Sequence, residues 1–336
     1  MAAAAENNME IGLVYRAQQA PALLPAYARA TETAGFDALW LWEDCFYHGG
    51  IATAATALAR TDRLAVGLGV MPAVARNPVF SAMEIASLAH LYPGRFRPGL
   101  GHGVSGWMRQ IGAFPGSQLA ALEETTLAVR ALLRGERFSF DGREISLDDV
   151  ALVYPPTVPP PVALGVRGPK SLTLSGRAAG GTILAEYAAP DYIRWARARI
   201  AAGQAEAGRD DPHHLTVFAL ACAAETTAQG REMARPLLAA ALAAGSIDSQ
   251  IRPLGILPQV EALRHGRDAA ALAPDIPDAW IDALTICGTP DDWAHALAGL
   301  AEAGAQTVAL VTPPQAGLEI VAAYADQLRP WRDHTA

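Results

Sequence analysis

The chain has 336 residues, of which 51% are apolar and 18% charged, with plentiful Gly and Pro and a net charge of −8. That composition is globular rather than fibrous or disordered, and the length allows a sizeable core. With no Lys- or Arg-rich run and an acidic balance, the chain carries no electrostatic footprint for nucleic acid or anionic lipid.

The opening "MAAAAENNME" lacks a basic n-region and a long apolar stretch, so it reads as a frayed start rather than a signal peptide. Short aliphatic runs then alternate with longer amphipathic ones. Strands are expected at "EIGLVY" (10–15), "ALWLW" (38–42), "LAVGLGV" (64–70), "RFRPGL" (95–100), "PVALGV" (161–166), "TILAEY" (182–187), "LTVFALAC" (215–222) and "QTVALVT" (306–312). Helices are expected at about 22–34, 51–59, 78–90, 117–134, 169–179, 190–207, 226–244, 290–303 and 316–328. Gly35 and Gly304 each close a helix just before a strand, and "GTPDDW" places Thr289 at an N-cap with Pro290 behind it. "LLAAALAAG" (237–245) is too short to cross a bilayer.

Eight βα units fit a (β/α)8 barrel better than an open doubly wound sheet. The expectation is one domain over residues 1–336, with insertions at about 135–160, a hairpin and a Pro-rich return, and at 245–285. Cys45, Cys222 and Cys287 lie far apart without metal-ligand spacing, which suits a reduced cytoplasmic compartment.

In such a barrel the residues just after each strand face the active site. These include Glu43-Asp44-Cys45, Met71-Pro72, Gly101-His102-Gly103, Arg167-Gly168-Pro169-Lys170 and Glu186-Tyr187. "GHGVSG" (101–106) has the spacing of a dinucleotide-binding fingerprint, but it follows the fourth strand. The acids about 20 residues on, Glu123 and Glu124, fall within an amphipathic helix, where a solvated face is the simpler role. The glycines then serve either a tight turn or a flat ligand lying on the backbone beside His102.

"GVRGPKSLTLSG" (165–176) sets Gly168 and Pro169 before a helix whose first N–H groups are free, with Arg167 and Lys170 beside them. This is either an anion site or an ordinary helix start. Adjacent in sequence, Glu43 and Asp44 point to opposite sides, so one at most faces the mouth easily; one is a proton donor or base, or else a cap for the helix at 50–59. His48 and His102 do not complete a metal set, so no metal is expected. A nucleophilic mechanism lacks support, because no G-x-S-x-G elbow is present and two carboxylates disfavour a Cys45 thiolate.

Taken together, "VGLGVMPAVARNPVFSAMEIASLAHLYPGRFRPGLGHGVSGWMRQIGA" (66–113) resembles the luciferase-like superfamily of flavin- and deazaflavin-dependent oxidoreductases, most strongly its coenzyme F420-dependent branch. The likeness continues through "LEETTLAVRALLRGE" (122–136), "GVRGPKSLTLSGRAAGG" (165–181) and "GTPDDWAHALAGLAEAGAQTVAL" (288–310). It implies a TIM-like barrel holding the ring of coenzyme F420, or alternatively of FMN, in its mouth. Gly69, Val70 and Met71 match the place where the family often has a non-prolyl cis peptide, here Gly69-Val70. Gly101, Gly103 and Glu43 join that cofactor set, and Gly165, Val166, Arg167, Gly168 and Pro169 match the phosphate-binding turn.

One departure matters. F420-dependent relatives often carry an Asp-His pair where this chain has Glu43-Asp44, which weighs against sugar-phosphate oxidation. The resemblance implies hydride transfer from the reduced deazaflavin to an activated C=C, C=N or C=O of a small molecule, a natural product or a modified peptide. Asp44 or His102 would supply the proton, and Trp107 and Tyr187 would shape the substrate wall. A homodimer is implied. The alternatives are an FMN-dependent monooxygenase and a non-catalytic flavin-binding protein.

Overall fold

Every one of the eight expected runs forms a strand in the computed structural model, which describes residues 9–335; of the start expected to fray, positions 1–8 lie outside the described residues, whereas Met9 is buried and Glu10 already begins the first strand. The strands are β1 (Glu10–Tyr15), β2 (Ala38–Leu41), β3 (Ala65–Pro72), β4 (Phe96–Gly101), β5 (Phe138–Asp141), β6 (Ser146–Val150), β7 (Ala163–Gly165), β8 (Gly181–Leu184), β9 (His214–Ala223), β10 (Ile286–Gly288) and β11 (Thr307–Val311). Parallel pairing runs β11-β1-β2-β3-β4-β7-β8-β9, and β9 pairs back onto β11, which closes an eight-stranded barrel. The short β10 extends the far end of β9, and β5 with β6 forms a separate antiparallel hairpin.

Helices cover the outside: α1 (Leu24–Thr33), α2 (Gly50–Ala59), α3 (Pro78–Leu91), α4 (Ser105–Gln110), α5 (Gln118–Leu133), α6 (Pro169–Ala178), α7 (Pro190–Glu206) and α8 (Thr227–Ala243). Then come α9 (Asp248–Ile251), α10 (Leu257–Arg264), α11 (Ala269–Leu272), α12 (Asp278–Leu284), α13 (Pro290–Ala303), α14 (Ile320–Gln327) and α15 (Arg329–Thr335). Thr289 and Asp292 form a capping box at the start of α13, and Gly304 ends it with φ 104°. Among the described residues, no helix is long and apolar enough to cross a membrane.

Strand alternation builds two layers. Ile11, Leu13 and Tyr15 face the helices, whereas Val14, Ala38, Ala65, Ala163 and Ala309 face the barrel axis. These small inward residues leave room for Trp40 and Phe218, whose rings meet edge to face at 5.5 Å. Phe218 thereby becomes the floor of whatever the mouth holds.

One expectation is corrected here. Glu124 is not on a solvated face: it is 8% exposed, and its carboxylate accepts hydrogen bonds from the N–H groups of Arg143, Glu144 and Ile145 at 2.9, 2.8 and 2.9 Å. It anchors the β5–β6 turn onto α5. Glu123 is partly exposed and pairs with Arg177.

The mouth takes its shape from β3. Leu68 lies opposite Pro98 but Met71 opposite Leu100, so β3 carries one extra residue. The bulge turns Val70 inward and returns Met71 to the helix side, where it is 1% exposed. Val70 then presses on two neighbouring strands. A Cβ at Gly101 would stand 2.5 Å from one Val70 methyl, and a Cβ at Gly165 would stand 2.6 Å from the other. The Gly69-Val70 peptide is cis, as the resemblance implies, and Cys45-Phe46 is cis as well.

Two outcomes follow from these contacts. Gly165→Ala should lower stability by about 1–3 kcal/mol through overpacking, and Val70→Ala in the same chain should recover most of it. Urea unfolding measures both, and a single variant as stable as the wild type would refute the constraint. Glu124→Ala should cost about 1.5–3 kcal/mol by orphaning the turn's N–H groups; limited proteolysis should then cut first between 137 and 150.

Candidate active site

A cleft of about 480 Å³ opens at the C-terminal ends of the barrel strands, a size suited to a cofactor with a small substrate. Glu43, Asp44, Gly69, Val70, His102, Gly103, Trp107, Gly165, Val166, Arg167 and Gly168 all line it, over a floor of Phe218 and Ile183. Met71, Gly101, Pro169 and Tyr187 do not. Met71 is turned outward by the bulge, Gly101 is buried under Val70, and Pro169 is the first residue of α6. Tyr187 has φ 68° and packs instead against an apolar cluster formed with α8 and the 245–285 segment.

The motif "GHGVSG" resolves residue by residue. Gly101 is required by the Val70 contact, Gly103 by its φ of 73°, and Gly106 by nothing, since a Cβ there meets no atom within 4 Å. The stretch is also not all loop, because α4 begins at Ser105 and carries Trp107 over the cleft.

Contrary to the expectation that at most one of them faces the mouth easily, Glu43 and Asp44 both line the cleft, and hydrogen bonding is what separates them. Arg76 grips the Glu43 carboxylate with two hydrogen bonds of 2.6 and 2.5 Å, and the Gly50 N–H donates to it at 2.9 Å. Glu43 therefore caps α2, whose own N-cap, Gly49, has no side chain to do so. Asp44 makes no side-chain hydrogen bond among the described residues and faces the cleft. Burial pushes its carboxyl above the ordinary aspartate value, the Glu186 charge adds to this, and Arg16 opposes both. Burial, with Glu43 and Asp44, likewise pushes the Cys45 thiol up.

His102 is fully engaged. Nδ1 lies 3.1 Å from the Gln118 carbonyl, which can only accept, so the proton sits on Nδ1. Nε2 then accepts from the Ser171 hydroxyl at 3.0 Å. Burial holds the imidazole below its usual value and keeps it neutral, so His102 links the β4 loop to the first turn of α6.

That first turn leaves backbone N–H groups without partners in the helix at one end of the cleft. Gly168 is the N-cap without a side-chain cap, Pro169 has no N–H, and the Lys170 and Ser171 amides have no partner within the helix. Arg167 stands exposed beside them and donates to the Ser246 carbonyl.

Two further charged residues stand here, Arg16 beside the cleft, over the lining residue Trp42, and Glu186 in the lining itself. Arg16 follows β1 directly, lies 5.1 Å from the centre of the Trp42 ring, and donates to the Thr312 carbonyl at 2.9 Å. The rule that found the other strand ends finds Arg16 too, once applied to the first strand. Glu186 lines the cleft opposite Asp44. Gln250 on α9 is fully buried, and its amide donates to the Ala185 and Glu186 carbonyls at 3.2 and 2.5 Å. No sequence signal ties Gln250 to β8. Among the described residues, no group of three or more His, Cys, Asp or Glu is placed to hold a metal.

Comparison with known proteins places the chain in a family. The 5,10-methylenetetrahydromethanopterin reductase of Methanolobus tindarius is 30% identical over 294 residues, covering 85% of this chain and 89% of its own. The F420-dependent hydroxymycolic acid dehydrogenase of Mycobacterium tuberculosis is 34% identical over 200 residues, covering 56% of this chain and 55% of its own. The coenzyme F420 dependent tetrahydromethanopterin reductase of Methanopyrus kandleri superposes with a TM-score of 0.81 at 19% identity, over 96% of this chain and 99% of that one. The model of the luciferase-like monooxygenases matches residues 9–307, and the chain belongs to that family.

Proposed function

We propose that the chain is a coenzyme F420-dependent oxidoreductase that reduces an activated C=C, C=N or C=O group of an organic substrate. The observation that carries this is one cleft with two ends: a glycine-lined platform crowned by Val70, and an uncapped helix start beside Arg167. A flat ring with an anionic tail fits both. Gly69, Val70 and Gly103 would support the ring, and Gly168, Lys170, Ser171 and Arg167 would receive the phosphate. The names of the F420-dependent relatives support this choice of cofactor over FMN.

When bound, the reduced deazaflavin supplies a hydride to the acceptor carbon. The chain must then deliver a proton to the atom that receives the π electrons. Asp44 is suited to this, because its carboxyl is held toward the protonated form and has no competing side-chain partner among the described residues. His102, neutral with both ring nitrogens engaged, positions the loop instead. Glu43 is neutralised by Arg76 and keeps the start of α2 in place. Trp107, with the exposed Val104 beside it, shapes the side through which substrate enters.

Two measurements test the reading. Apoprotein titrated with each cofactor should bind the deazaflavin and not FMN; tight FMN binding without deazaflavin binding would overturn it in favour of an oxygen-activating monooxygenase. With activated enones and imines as acceptors, Asp44→Asn should lose about 10²- to 10⁴-fold in kcat while retaining deazaflavin affinity. Unchanged turnover would remove Asp44 from the mechanism.

A further inference from the structure

We infer that Asp44, Glu186 and Arg16 act as one charge-balanced set around a proton carried by Asp44. This deepens the reading of Asp44 given above and rests on it for the direction of proton transfer. Asp44 follows β2 and Glu186 follows β8. These strands stand across the barrel from each other, separated by β1, β11 and β9, and both side chains reach the same cleft. Arg16 follows β1 between them, with its guanidinium over Trp42, another lining residue. Its Nε is buried and has no hydrogen-bond partner among the described residues, so the guanidinium is not saturated by the Thr312 carbonyl.

Among the described residues, the other charged groups near the cleft are engaged elsewhere. Arg76 is occupied by Glu43, and Arg167 lies exposed at the anion end, tied to Ser246. His48, in the same loop as Asp44, is held below its usual value by burial. Tyr187 after β8 and Tyr324 on α14 are both pushed up by burial and stay uncharged. His102 on the far wall is neutral. Two carboxylates against one guanidinium leave one excess negative charge in a half-buried site, and one proton removes it.

The consequence for the reaction is specific. As the acceptor carbon gains its C–H bond, the π electron pair moves to the neighbouring atom, which takes the proton from the Asp44 carboxyl. The set then carries one excess negative charge, which draws the next proton from solvent. Glu186 and Arg16 are tuning residues with opposite effects. The Glu186 charge retains the proton on Asp44, and the Arg16 charge favours its release.

The test uses the full chain without cofactor. Carbon-13 NMR of protein labelled at aspartate carboxyl carbons follows Asp44, assigned by the signal missing in Asp44→Asn. Glu186→Gln should move the Asp44 midpoint to lower pH, Arg16→Gln should move it to higher pH, and Arg16→Lys should leave it near wild type. The alkaline limb of kcat against pH should shift in the same two directions. Midpoints that stay put, or that move the same way in both variants, would overturn the inference. If Arg16→Gln does not fold, Glu186→Gln decides alone: a downward shift supports the set and no shift refutes it. If the protein fails to bind deazaflavin yet shows the opposed shifts, the cofactor reading falls and the set stands.

Discussion

One extra residue in β3 organises the mouth of this barrel. The bulge at Gly69 and Val70 brings an isopropyl group to the axis, where regular alternation would have sent it outward. Everything near it adapts. Gly101 and Gly165 give up their side chains to admit the two methyls, and Phe218 and Trp40 fill the axis beneath. The cleft is thus a consequence of packing before it is a consequence of chemistry, and the flat platform at its base exists because larger residues are excluded there.

Upon that platform the charges are assigned in pairs. Arg76 cancels Glu43 and leaves it a structural cap, Arg167 stands beside the start of α6 tied to Ser246, and Arg16, over Trp42, is the guanidinium we assign to Asp44 and Glu186. The division explains why two adjacent carboxylates on one strand end have unrelated roles. Both line the cleft, but Arg76 and the Gly50 N–H hold Glu43, whereas Asp44 has no side-chain hydrogen bond among the described residues.

Much of this was legible in the sequence. The strands could be read because burial on alternate faces leaves a period of two, and the strand-end rule named most of the cleft. What escaped had physical causes. Alternation counted from Leu68 would send Met71 inward, and the bulge reverses that parity. β8 ends at Leu184, after which Tyr187 turns away with φ 68° while Glu186 remains in the cleft. Glu124 looks like a surface acid until the turn at 142–145 folds onto it, and that contact has no local signature. Glycine spacing at 101–106 matched a phosphate-binding fingerprint by coincidence, each glycine answering to a different need or to none.

Gln250 gives the site a divided origin. Its amide holds the two carbonyls at the end of β8, so the acidic wall takes its position from a helical excursion some 65 residues away, as the separations of 65 and 64 attest. The platform, by contrast, is set entirely by barrel strands. On the proposed reading, the acidic wall would take its position from the excursion and the ring's platform from the strands, while the anion end would touch both, since Arg167 donates to the Ser246 carbonyl of that excursion.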